Sequence, residues 1–153
     1  KGFIFIGLII VNNEPKVIEY NVRMGDPETE VVLPRIETDL MEIFIAIRDQ
    51  KLDKISLSIN PKSATTVVLV SGGYPESYEK GKEISGLDSV ENALVFHAGA
   101  KRNEDKVVTC GGRVMAITAF GNNFKEALKG SYYAASKINF EGINYRKDLG
   151  FDL

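Results

Sequence analysis

The chain has 153 residues, 44% hydrophobic and 26% charged, which excludes a disordered segment and fits one ordinary domain or two small ones. A net charge of −2 argues against a dedicated nucleic-acid or polyanion binder. One cysteine, Cys110, and one histidine, His97, exclude an internal disulfide and an ordinary zinc site, and the lone thiol suits a reducing, cytoplasmic compartment.

The chain opens on an apolar run over residues 3–11. The run is too short to cross a bilayer and lacks a small-residue cleavage site, so it reads as a strand buried on both faces. Termini are usually polar, so such a start points to a chain cut from something larger. Residues 16–24 alternate. Val17, Glu19, Asn21 and Arg23 fall on one side, and Ile18, Tyr20, Val22 and Met24 on the other. A hairpin of strands 3–11 and 16–24 is predicted, with Asn12-Asn13-Glu14-Pro15 as its turn.

One face of the second strand then carries a carboxylate, a carboxamide and a guanidinium, with Cα atoms roughly 6.6 Å apart. Glu19 and Asn21 oxygens at that spacing can share a hard cation such as magnesium, which takes one or two protein ligands and leaves the rest to nucleotide phosphates. Arg23, one step on, is placed to hold an anion. Gly25-Asp26-Pro27 is a chain reversal. Asp26 is its substrate-facing candidate, and Glu28 is read as structural. The competing reading is a plain solvated face of an antiparallel sheet, against which stands an asparagine in mid-strand, where that residue is disfavoured.

Residues 38–50 predict a helix, with Asp39 and Glu42 as a capping box and Leu40, Ile43, Phe44 and Ile47 as its apolar stripe packing on the hairpin. With no further strands, the hairpin is expected to leave apolar surface open. A boundary falls near Asn60-Pro61. Strands follow over 65–70, 93–97, 106–109 and 113–120, with turns at 71–75, 103–105 and Gly111-Gly112, which suggests a small antiparallel sheet or barrel. A covering helix spans 123–139, capped by Asn123 with Glu126. Phe124, Ala127, Leu128, Ala134, Ala135 and Ile138 form its buried side, and Gly142 its approximate stop. A tail over 143–153 contains Arg146-Lys147-Asp148. The Gly-Gly pairs match no phosphate-loop pattern and read as turns. His97 reads as a satisfied structural histidine, Cys110 lacks a neighbour that would activate it, and Tyr132-Tyr133 reads as helix packing.

The run from Glu19 to Glu28 meets every position of a Glu-x-Asn-x-Arg-hydrophobic-Gly-Asp-Pro-Glu pattern. Together with Ser71-Gly-Gly-Tyr-Pro75, Val95-Phe-His-Ala-Gly99, Gly111-Gly-Arg-Val114 and Tyr145-Arg-Lys-Asp-Leu-Gly150, it resembles the C-terminal part of the phosphoribosylamine–glycine ligases, purine-biosynthesis enzymes of ATP-grasp fold. The resemblance implies an α+β chain. Residues 1–58 would be the end of the ATP-grasp catalytic domain, a β-hairpin plus helix, and 59–153 a β-rich, single-hybrid-like domain with a covering helix. In such enzymes ATP phosphorylates the glycine carboxylate, and the amine of 5-phosphoribosylamine attacks the acyl phosphate. Glu19 and Asn21 match the family's Mg2+ or Mn2+ ligands. Arg23 matches the position that steadies the carboxylate or acyl phosphate, a catalytic and substrate-binding role, and Asp26 matches the substrate-facing turn. Most of the nucleotide site would lie in an N-terminal region of the parent, so the chain alone is expected to be inactive and, with an open apolar edge, to self-associate. No nucleic acid or membrane partner is implied. Two alternatives remain: another ATP-grasp ligase or carboxylase, and a non-catalytic interaction module pairing through its first strand.

Overall fold

A computed structural model describes residues 1–151; Asp152 and Leu153, the end of the expected tail, lie outside the described residues. The chain divides into two compact units, Lys1–Pro61 and Lys62–Leu153.

The first unit begins with an antiparallel hairpin of β1 (Phe5–Val11) and β2 (Glu14–Asn21). Its turn is tighter than the four residues expected. Asn12 and Asn13 alone form it, at φ 53° and 62°. A two-residue turn of the type matching strand twist needs positive φ at both positions, and asparagine tolerates that conformation. Pro15 therefore lies inside β2, opposite Ile10, where an edge strand can do without its N–H. Leu8 pairs with Val17 but Gly7 pairs with Glu19, so Ile18 is an extra residue, a β-bulge.

Among the described residues β1 pairs with β2 alone. It is not a strand buried on both faces, as its composition suggested. Ile6, Leu8, Ile9, Ile10 and Val11 are all exposed, and so are Val17, Ile18 and Tyr20 of β2. The apolar surface expected to remain open is open on both sides of the hairpin.

After Gly25 the chain enters a one-turn helix, α1 (Thr29–Val32), and a 3-10 turn at Leu33–Arg35, neither of which the sequence pattern announced. The helix α2 (Leu40–Arg48) follows. Asp39 caps it, accepting from Met41 N at 2.7 Å and Glu42 N at 3.4 Å. Ile43 and Ala46 are buried and Phe44 is exposed, so the covered face is turned from the stripe expected. Phe44 still meets Phe3 edge-on, with ring centroids 6.2 Å apart. Ile43 and Ala46 are the only buried apolar side chains of this unit among the described residues. The chain then returns: Ile36 bridges Ile59, and the Arg35 guanidinium donates to Asn60 O at 3.1 and 3.3 Å.

The second unit holds β3 (Ser63–Val70), β4 (Ala93–His97), β5 (Ala100–Asn103), β6 (Lys106–Thr109), β7 (Arg113–Gly121) and α3 (Phe124–Ala135). An antiparallel sheet has the order β3-β7-β4, and β5 and β6 form a separate hairpin whose first strand was not anticipated. β7 is the centre. Its residues 114–119 are all buried, so it is covered on both faces. α3 lies against β7 and β3 through Ala127, Ala134 and Ala135, small side chains that allow close approach. Asn123 caps it, its side-chain oxygen accepting from Glu126 N at 3.0 Å.

Ser131, which the apolar pattern passed over, is also sealed in that interface. Its hydroxyl donates to Thr65 O at 2.8 Å, accepts from Ala119 N at 3.1 Å and lies 2.9 Å from Thr65 Oγ1. The helix stops at Ala135, four residues short of the expected end, and Gly142 is not its cap. Backbone groups are the cause. Asn139 exchanges N–H and C=O with Ser85 at 2.9 and 3.1 Å, and Gly86 packs against Lys137 O, so residues 137–139 serve that bridge and not a further helical turn.

Candidate functional site

Paired residues in an antiparallel ladder share a face. Gly7 with Glu19 and Phe5 with Asn21 therefore lie on one face of the hairpin, as do Glu14 and Lys16 on the near side of the bulge. Val17 pairs with Leu8 on the opposite face, contrary to strict alternation. The bulge shifts the parity of the strand by one. Glu14 and Lys16 are even-numbered and Glu19 and Asn21 odd, yet all four come to one side.

The structure brings Glu19 and Asn21 into contact: Asn21 Nδ2 donates to Glu19 Oε1 at 3.0 Å. That bond leaves the second carboxylate oxygen and the amide oxygen as acceptors. Two neighbouring side chains that each still offer an oxygen suit a hard divalent cation that takes its remaining ligands from phosphates or water. Among the described residues no three His, Cys, Asp or Glu side chains gather as a metal site, so the chemistry of the donor set fits a shared cation and not a closed protein cage.

Arg23 is not on the strand. β2 ends at Asn21, and Val22 and Arg23 bend away. Arg23 is exposed, and its Nη1 donates to Met24 O at 3.1 Å. Asp26 is exposed in the following turn, next to a cis Asp26–Pro27 bond. The turn is fastened from behind. Thr29 donates to Gly25 O through both N (3.1 Å) and Oγ1 (2.6 Å), and the Glu28 side chain folds over Gly25 so closely that a Cβ there would meet its carboxylate. Glu28 thus packs where glycine alone fits, which is a structural use of that carboxylate.

Other candidates resolve differently. Gly99 and Gly111 cross so closely that a Cβ on Gly111 would stand 2.9 Å from Gly99 Cα. Ser71 Oγ donates to Gly111 O at 2.9 Å, and Gly112 lies beneath the rings of Tyr74 and Tyr78. The Ser71-Gly-Gly, His-Ala-Gly and Gly-Gly-Arg motifs therefore meet in one tight packing knot, where their glycines are close-approach residues. His97 is exposed at the end of β4, not satisfied in a core. Tyr132 donates to Arg146 O at 2.9 Å and accepts from Leu149 N at 3.2 Å, tying the tail to α3, while Tyr133 is exposed.

Beside the Ser71–Gly72 turn, Lys82 Nζ lies 2.7 Å from Glu79 and 2.9 Å from Glu141. These contacts raise the Lys82 pKa, and the Lys82 hydrogen bond lowers that of Glu79. A small cavity here, about 130 Å³, is lined by this charged cluster together with Ser71, Gly72 and Gly142.

Comparison with known proteins settles the family. The model of the phosphoribosylglycinamide synthetase C domain matches residues 64–152, more than half of the chain, and the ATP-grasp (A) domain model of the same family matches residues 1–29. The chain belongs to the phosphoribosylglycinamide synthetase family. It is 46% identical over 149 residues to phosphoribosylamine–glycine ligase of Caldanaerobacter subterraneus, with 97% of this chain aligned to 36% of that protein. A bifunctional purine biosynthetic protein of Pichia angusta is 44% identical, with 97% of this chain covering 19% of it. The crystal structure of phosphoribosylamine–glycine ligase from Thermotoga maritima superposes with a TM-score of 0.77 at 37% identity, covering 97% of this chain and 37% of that one. The chain thus spans little more than a third of the length of the single-function synthetases it matches. Among the described residues no helix is long and apolar enough to cross a membrane.

Proposed function

We propose that this sequence serves as the C-terminal portion of an ATP-dependent ligase that joins glycine to 5-phosphoribosylamine in purine biosynthesis. The observation that carries the reading is the Glu19–Asn21 contact on one face of the hairpin, inside a run that meets the family pattern at every position. Residues 1–58 complete the ATP-grasp domain, and residues 59–153 form the ligase's β-rich C-terminal domain.

Glu19 and Asn21 hold Mg2+ or Mn2+, which when bound neutralises phosphoryl oxygens so that two anions can approach. A glycine carboxylate oxygen attacks the γ-phosphorus of ATP and ADP leaves. The amine of phosphoribosylamine then attacks the acyl carbon, phosphate departs, and the nitrogen loses a proton. Arg23 steadies the carboxylate and the acyl phosphate. To do so its guanidinium gives up the Met24 carbonyl, a single neutral acceptor, for a charged one. Asp26 faces the substrate from a turn whose shape Gly25, Glu28 and Thr29 hold.

Remaining nucleotide contacts come from the rest of the ligase, in the cytoplasm, so the isolated chain does not turn over. With both hairpin edges open it self-associates, and a monomer by light scattering at high concentration would contradict that. The test of the reaction is ADP release by the full-length ligase. Release that depends on glycine together with phosphoribosylamine is expected, and release that depends on bicarbonate would move the chain to another ATP-grasp enzyme.

A further inference from the structure

Gly7 sits in the middle of β1, between Ile6 and Leu8, where glycine weakens a strand relative to alanine. Backbone freedom does not explain it, because its φ is not in the left-handed region. Space does. Gly7 is the cross-strand partner of Glu19, and a Cβ built on it would stand 3.0 Å from Glu19 Cγ and 3.7 Å from Glu19 N. The Glu19 side chain therefore lies across the bare Cα of Gly7. The same rung carries the bulge, with Ile18 as the extra residue beside Glu19. Bulges next to functional sites re-aim side chains, and this one brings Glu14 and Lys16 to the face that Glu19 and Asn21 share.

We infer that Gly7 is a positioning residue for the cation ligand Glu19: the missing Cβ lets the carboxylate lie along the strand and accept from the Asn21 amide at 3.0 Å, so that the two ligand side chains are held side by side before the cation arrives. This rests on the metal reading above. A methyl group at position 7 pushes Glu19 Cγ by a few tenths of an ångström and turns the carboxylate away from Asn21. A bulkier side chain turns it further. The strand itself has no objection to alanine, so stability and metal binding part company at this position. A glycine kept only for the hairpin's shape would tie them together.

The experiment is Mn2+ binding to the full-length ligase with a non-hydrolysable ATP analogue, read by electron paramagnetic resonance, alongside melting temperatures without metal. Gly7→Ala is expected to raise the half-saturating Mn2+ about tenfold, the scale on which groups that orient a metal ligand act. Gly7→Val raises it further, and the melting temperature of Gly7→Ala does not fall. Ile10→Ala, on the same strand but away from Glu19, leaves Mn2+ binding unchanged. Unchanged binding in both Gly7 variants, with binding lost in Glu19→Ala, overturns the role of Gly7 and leaves the metal reading standing. A melting temperature that drops in step with Mn2+ binding also overturns it, since Gly7 is then structural. Unchanged binding in Glu19→Ala overturns the metal reading, and this proposal with it.

Discussion

Lys82 is a half-buried ammonium gripped by two exposed carboxylates, and its chemistry has a defined pH range. Glu79 has a lowered pKa because Lys82 hydrogen-bonds its charged form, so its contribution is present above the ordinary glutamate value and is lost as pH falls through the lowered one. Lys82 has a raised pKa because of Glu79 and then Glu141, so its contribution is present below the ordinary lysine value and is lost as pH rises through the raised one. The clasp therefore holds across the whole neutral range. Lys82→Met is expected to lower the melting temperature slightly at pH 7, and the difference should vanish in acid below the glutamate range and shrink in high salt. A difference that persists in acid would mean that the ion pairs are not what Lys82 contributes. Single residues were legible where their chemistry is local. Asp39 and Asn123 announce caps because their side chains bond backbone two or three residues on. Ser131 was not legible, since nothing in a helical pattern says that a hydroxyl will find Thr65 and Ala119 across an interface.

Elements were readable where one period dominated. β3, β4 and β7 are close to their expected spans because short apolar or β-branched runs bounded by turn residues leave little choice. Two long-range effects were invisible. The Ile18 bulge is set by pairing with β1, although the parity change from Glu14 and Lys16 to Glu19 and Asn21 was its trace in the sequence. The early end of α3 is set by Ser85, some fifty residues away. α2 is the element most dependent on its local signals, because only Ile43 and Ala46 of its side chains are buried. Loss of an N-cap costs typically about 1 kcal/mol. Asp39→Ala should therefore cut hydrogen-exchange protection of the α2 amides about fivefold. Protection unchanged by that substitution would show that tertiary contacts alone hold the helix.

At the scale of the molecule, the two units differ in how complete they are. The second has a central strand covered on both faces and a contiguous apolar core from Val67 to Phe140. The first exposes both faces of its hairpin and carries the Glu19–Asn21 pair. That contrast fits a chain spanning 36% of the length of its Caldanaerobacter relative, with the proposed cation pair on the less covered unit. The pair was legible because i, i+2 residues share a strand face. Arg23 was misplaced because β2 ends two residues before it, where the Gly25 turn begins to take the backbone. The most direct measurement is a Mg2+ titration of glycine-dependent ADP release by the full-length ligase and by its Glu19→Ala and Asn21→Ala variants. If the pair holds the cation, each substitution raises the half-saturating Mg2+ at least tenfold and cuts turnover at low Mg2+ severely. Unchanged kinetics at low Mg2+ in both variants would contradict the assignment and return this strand face to solvent.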